Sequence, residues 1–123
     1  MSRDNIPVQD VRHKTFIRIF ACAHMSQFDR AKKTSDLSFN ALKWAKGVIL
    51  DMQKSNSPEL KEAAEKAKPI YNKAQKVLSD YNRKLLEWQK SGTKPTDIDV
   101  IAGELQTLTT EVKNILIKAQ TKE

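Results

Sequence analysis

Two stretches within residues 60–119 carry apolar residues at alternating three- and four-residue steps. This is the a/d pattern of helices that pack knobs into holes. The seam positions are Tyr71, Leu78, Tyr81, Leu85, Trp88, Ile98, Ile101, Leu105, Leu108, Val112 and Ile115. Only residues 91–96 separate the two stretches, which is room for a turn and no more. The pattern therefore predicts a long antiparallel, coiled-coil-like hairpin.

The rest of the chain favours the same structural class. With only 3 glycines and 4 prolines, it lacks the turn residues that many short strands need. We expect an all-α fold of four helices in a single domain, 1–123. Helix 8–28 and helix 36–55 should pack against a hairpin formed by helix 58–90 and helix 97–120.

The start and end of the third predicted helix have clear local signals. Ser57 can cap its N-terminus, Pro58 suits its first position, and Gly92 suits its C-terminal cap. Pro69 lies inside it, where proline removes a backbone hydrogen bond and clashes with the preceding turn. The apolar spacing continues through this position, so we expect a kinked helix near Pro69, with a break after Ala67 as the alternative.

The second predicted helix follows a charged and polar stretch, residues 29–35, which we expect to be a connector. Thr34, Ser35 or Asp36 can cap the helix by accepting an amide hydrogen bond. Gly47 lies inside this helix, as expected at a close helix crossing. The apolar stripe expected to be buried is Leu37, Ala41, Trp44, Val48 and Met52, and Leu42, Ala45 and Ile49 lie beside it.

Residues that could carry catalysis or bind a metal are few. Cys22 is the only cysteine, and its apolar neighbours indicate a buried thiol. His13 and His24 are eleven residues apart on one predicted helix, three turns too far to share an ion. The three glycines are far apart, which disfavours a phosphate-binding loop. We expect no catalytic site, metal or cofactor, and hence no enzyme.

The net charge of +7 raises the chance of an anionic partner. Lys76, Arg83 and Lys90 recur every seven residues opposite the seam and form a basic ridge with three flanking residues, Lys66, Lys73 and Lys84. A second basic group lies in the first part of the chain. Its members are Arg12, Lys14, Arg18, Arg30, Lys32 and Lys33.

The ridge has two interpretations. It could follow a phosphate backbone, or it could be the solvated outer face that any helical hairpin has. Glu62, Asp80 and Glu87 interrupt it, and Tyr81 and Trp88 belong to the seam instead of lying between the basic residues. The solvated face is therefore favoured.

These patterns favour a non-catalytic helical interaction or scaffold protein that acts through protein–protein contacts. Self-association is part of this hypothesis, because an a/d seam accepts a second copy as well as an intramolecular neighbour. The alternative is a small basic nucleic-acid-binding protein that uses the ridge and the basic first half. No apolar run reaches the roughly 18 residues that a membrane span needs, and the charged N-terminus does not resemble a secretory signal. We expect a soluble intracellular protein of the cytoplasm or nucleus.

Overall fold

In a computed structural model of the chain, which describes residues 26–121, three α-helices follow one another. They are α1 (Gln27–Gln53), α2 (Pro58–Ser91) and α3 (Ile98–Thr121). These residues contain no strand, so the all-α class is confirmed. The expected four-helix architecture is not matched, because the described part of the chain has three helices. Helix 8–28 lies outside it except for its last three residues.

The ends of α2 are set by the residues that the sequence pointed to. The side-chain oxygen of Ser57 accepts a hydrogen bond from the backbone N–H of Leu60 at 3.3 Å, and proline occupies the first turn. At the other end Gly92 adopts the left-handed conformation, with φ of 74°, and its N–H donates to the carbonyl of Trp88 at 2.7 Å. The helix is continuous through Pro69, so the alternative break after Ala67 is not observed.

The seam of the hairpin is buried where α2 and α3 pack against each other. At the centre of the seam, Tyr81, Leu105 and Val112 are almost completely excluded from solvent. Leu78, Leu85, Ile98 and Leu108 are also buried, and Tyr71, Trp88, Ile101 and Ile115 are half-buried. Burying one large aliphatic side chain is worth about 1.5–3 kcal/mol, so this seam is the main source of hairpin stability.

All three helices contribute to one core cluster. Its buried members are Ala45, Ile49 and Met52 of α1, Ala63, Ala64 and Ala67 of α2, and Val112 and Leu116 of α3. The last turns of α1 and α3 thus meet the first turns of α2, and both helices run antiparallel to α2. The alanines of α2 have short side chains, so the larger side chains of the neighbouring helices fill the space between the helices.

Helix α1 begins nine residues earlier than expected, at Gln27 instead of Asp36. The N–H of Asp29 donates to the hydroxyl of Ser26 at 3.0 Å, so Ser26 caps the helix. Residues 29–35 are helical, and the expectation of a connector there is wrong. Ser35 does not act as a cap: its hydroxyl donates to the side-chain oxygen of Asn82 on α2.

The buried face of α1 also differs from the expected one. The side chains that pack inward follow a 3-4-3-4-3 spacing, and they are Ser35, Ser38, Leu42, Ala45, Ile49 and Met52. Of the stripe expected in the core, only Met52 is buried. Small residues occupy half of the observed positions, which lets the first half of α1 approach α2. There the Tyr81 hydroxyl donates to the carbonyl of Ala31 at 3.0 Å.

The chain divides into two compact units, Met1–Arg30 and Ala31–Glu123. The second unit contains the core cluster and the whole hairpin.

Candidate interaction surface

Exposed large apolar side chains are concentrated on α1. Of the seven in the described part of the chain, four belong to this helix, namely Leu37, Phe39, Trp44 and Leu50. The other three are spread over the hairpin, one on α2 and two on α3. They are Leu86, Val100 and Ile117. A helix of 27 residues that carries most of the exposed apolar groups is the natural place to look for a binding surface.

Four residues of α1 form a continuous apolar stripe beside the buried face. We call Leu37, Ala41, Trp44 and Val48 the outer stripe; their 4-3-4 spacing places them along one line of the helix. Leu37 is 61% exposed and Trp44 is 40% exposed. Ala41 and Val48 are half-buried, and Val48 also contacts the core cluster. Successive residues of a helix are rotated by about 100° about its axis. Since the outer stripe is offset by one residue from the buried stripe, the two lie roughly 100° apart.

A groove runs beside this stripe, between α1 and α3. Its volume is about 440 Å³, and α1 contributes Leu37 and Ala41 together with Thr34 and Ser38. The facing wall belongs to α3 and is polar. Its members are Gln106, Thr109, Thr110 and Lys113. One wall of mixed character and one polar wall suit an amphipathic helix better than a small apolar ligand.

Two buried hydroxyl residues, Ser38 and Thr109, line this groove. The hydroxyl of Thr109 lies 2.9 Å from the carbonyl oxygen of Leu105 and 3.0 Å from that of Gln106, within its own helix. Thr109 therefore needs no ligand. A separate, smaller hollow of about 200 Å³ lies near the end of α1, and Val48, Asp51, Leu60 and Gln120 are among its lining residues.

Half of the residues in the basic ridge of α2 pair with neighbouring carboxylates. Three of its six residues form ion pairs at 3.2–3.8 Å. The pairs are Lys66–Glu62, Arg83–Asp80, Arg83–Glu87 and Lys84–Asp97. Lys73, Lys76 and Lys90 are exposed, and within residues 26–121 no carboxylate lies within 4 Å of their ammonium groups. The free positive charge of the ridge thus comes from three separated lysines.

The second basic group falls partly outside the described residues. Arg12, Lys14 and Arg18 lie there, whereas Arg30, Lys32 and Lys33 belong to the first turns of α1. Lys32 and Lys33 are exposed on this helix, not on a connector. Lys33 lies one turn before Leu37, so it flanks the start of the outer stripe.

Within residues 26–121, no three His, Cys, Asp or Glu side chains cluster where they could hold a metal ion together. His13, Cys22 and His24 lie outside this range, so the absence of a metal, a cofactor and a catalytic site stays a prediction. As for membranes, no helix of this range combines the length and the apolar character that crossing a bilayer requires.

Tyr81 is a titratable group whose pKa is displaced. Burial raises the pKa of its phenol above the ordinary value of 10.0, and the negative charge of Asp99 raises it further. A hydrogen bond with the Thr34 side chain acts in the opposite direction. The phenol is buried, and it donates its hydrogen bond to the carbonyl of Ala31 on α1.

The outer stripe was expected in the core because its side chains are larger than those of the observed buried face. The sequence did contain a pattern for the observed buried face, because the positions from Ser35 to Met52 follow an unbroken 3-4 spacing of their own. Two serines and an alanine in that set made it look weaker than the stripe containing Leu37 and Trp44.

Comparisons of this chain with protein-family models, with curated proteins and with solved structures find no match.

Proposed function

We propose that this chain is a non-catalytic helical interaction protein, and that its binding surface is the outer stripe of α1 with the groove beside it. The observation that supports this is the exposure of Leu37 and Trp44 on one line of a helix whose neighbouring face is fully packed. Contiguous exposed apolar surface on a folded chain marks an interaction site, and tryptophan is among the residues that contribute most to binding energy.

The shape of the surface suits recognition of a helix. An amphipathic helix binds such a site by laying its apolar face on a stripe spaced by three and four residues. Here its apolar side would cover Leu37, Ala41 and Trp44. Its polar side would then face Gln106 and Lys113 across the groove.

Nucleic-acid binding is the second candidate. The net charge of +7 and the exposed Lys73, Lys76 and Lys90 favour it. Against it, Arg83 is held between two carboxylates, and the aromatic rings of α2 are buried or half-buried. A surface without stacking rings that relies on separated lysines gives weak binding of strong salt dependence.

Affinity capture from a lysate of the cells that make this protein tests the proposal. The full-length chain is compared with Trp44→Glu and with Leu86→Glu, a control that introduces the same charge at an apolar position that is 51% exposed on α2. Each capture is run with and without nuclease. Circular dichroism melts establish that both variants are folded.

We expect protein partners that survive nuclease treatment, are retained by Leu86→Glu and are reduced at least about tenfold by Trp44→Glu, because a charge at the centre of an apolar contact costs several kcal/mol. Partners released by nuclease and unaffected by Trp44→Glu would support the nucleic-acid function instead. Equal capture by both variants would refute the placement of the surface on α1.

A further inference from the structure

We infer that the partner of the outer stripe is a second copy of this chain, bound through α1 in antiparallel orientation. This inference rests on the proposed function and names the partner that the same surface takes. It comes from two features of α1: the order of residue sizes along the outer stripe, and the charges at its two ends.

The outer stripe is complementary to its own reverse. If a two-fold axis that passes between positions 42 and 43 relates two copies of α1, Leu37 of one copy faces Val48 of the other. Ala41 then faces Trp44. The small alanine leaves space for the indole ring, and the arrangement repeats on the other side of the axis. Four apolar residues per copy are covered in this way, and two of them, Leu37 and Trp44, are exposed large apolar side chains.

The charges that flank the stripe are also complementary in this orientation. Lys33 and Asp51 are eighteen residues apart, which is five turns of helix, so they lie on the same flank at opposite ends of the stripe. Both are exposed, and within residues 26–121 neither lies within 4 Å of an opposite charge. In an antiparallel pair, residues of the same flank face each other, so Lys33 of each copy approaches Asp51 of the other.

A parallel pair would lose this match. Residues of the same flank lie on opposite sides of a parallel pair, so Lys33 and Asp51 of the two copies would not face each other, and the two Trp44 rings would lie at one level. The charge match is made only in the antiparallel orientation, so the charges favour that orientation.

The expected dimer is weak. The stripe from Leu37 to Val48 spans about 16 Å of helix, shorter than a standard interface requires. We therefore expect a dissociation constant of about 1–100 μM, as is typical of small interfaces with one aromatic anchor per side.

Sedimentation equilibrium of the purified full-length chain tests the inference with four proteins: the unchanged chain, Lys33→Glu, Asp51→Lys, and the double variant Lys33→Glu/Asp51→Lys. Each single reversal places two like-charge pairs in the dimer and should raise the dissociation constant about 5- to 10-fold. The double variant restores both pairs with exchanged signs and should return to within about twofold of the unchanged chain. Since all these positions are exposed, the fold is preserved in each variant.

The possible outcomes separate this inference from the proposed function. A chain that remains monomeric while Trp44-dependent capture of other proteins persists would overturn the dimer and leave the proposed function standing. A monomeric Trp88→Phe variant retains Trp44 as its one tryptophan. If its fluorescence resists quenching by acrylamide, the stripe is covered within a single chain, which overturns the dimer too. A dimer whose affinity ignores the charge reversals, or in which the double variant is as weak as the single ones, would overturn the antiparallel arrangement.

Discussion

The phenol of Tyr81 on α2 donates a hydrogen bond to the backbone carbonyl of Ala31 on α1, with 3.0 Å between the oxygens. This carbonyl lies one turn before Ser35, whose hydroxyl donates to Asn82. Two consecutive residues of α2 therefore hold the first half of α1, where the buried face is made of serines instead of large apolar groups. These polar contacts accompany the rotation of α1 that leaves the outer stripe exposed.

Removing the phenol hydroxyl should weaken this attachment. Tyr81→Phe keeps the ring in the core and deletes the hydrogen bond to Ala31, so we expect a loss of about 1–2 kcal/mol in the free energy of unfolding. Chemical denaturation with urea measures this loss. As a matched control, Tyr71→Phe removes a half-buried hydroxyl that accepts from Gln75 of the same helix, and it should cost less. Equal losses for the two variants would contradict the role given to Tyr81.

The free energy of unfolding should also depend on the ionisation of Tyr81 at alkaline pH. Its folded-state pKa lies above the unfolded value of 10.0, so the phenol binds its proton more tightly in the folded chain. The resulting stabilisation is fully present below about pH 10 and is lost as pH rises through the folded pKa. The stability difference between the unchanged chain and Tyr81→Phe should therefore be constant from about pH 7 to 9 and shrink above about pH 10. Urea unfolding at a series of pH values measures it, and a difference that grows above pH 10 would be the opposite of this expectation.

The hairpin seam should show the large cost of a buried cavity. Leu105 is completely buried, and Leu105→Ala should lower the free energy of unfolding by about 2–5 kcal/mol. The same change at the exposed Leu86 should alter it by less than about 0.5 kcal/mol. Thermal melts followed by circular dichroism distinguish the two. A small effect at Leu105 would mean that this position does not lie in the seam.

Replacement by alanine should change the free energy of unfolding in opposite directions at two glycines. Gly92 has a left-handed backbone that alanine adopts at a cost of about 1–2 kcal/mol, so Gly92→Ala should destabilise the chain. Gly47 lies inside α1, and within residues 26–121 no atom other than its chain neighbours and the adjacent helix backbone is within 4 Å of the position that a Cβ would take. Gly47→Ala should therefore stabilise by about 0.5–1 kcal/mol. A lower melting temperature for Gly47→Ala would instead indicate a close helix crossing at this position, which the sequence suggested and the structure does not show.

The hairpin could be predicted from the sequence because its signals agree at every level. Ser57 and Gly92 end a helix for known local reasons, and large apolar residues from Tyr71 to Ile115 occupy one seam. The observed bounds of α2 and α3 lie within one residue of the expected ones. When capping, turn and periodicity all indicate the same structure, few alternatives remain.

The position and rotation of α1 could not be predicted in the same way. The charged residues 29–35 and the capping potential of Ser35 favoured a connector, whereas tertiary contacts from α2 make use of that serine inside a helix. The choice between two stripes about 100° apart depends on which one fits the hairpin surface, and side-chain size alone favoured the wrong one. This error matters for function, since the stripe that was expected in the core is the proposed interaction surface.

Site-specific photo-crosslinking shows whether α1 binds a partner through its outer stripe. A photoreactive phenylalanine analogue replaces Leu37 in one full-length chain and Leu86 in another, and both are irradiated in a native lysate. We expect covalent protein adducts from position 37, with a homodimer among them, and few or none from position 86. Adducts from position 86 alone, or equal adducts from both positions, would show that the outer stripe is not the binding surface.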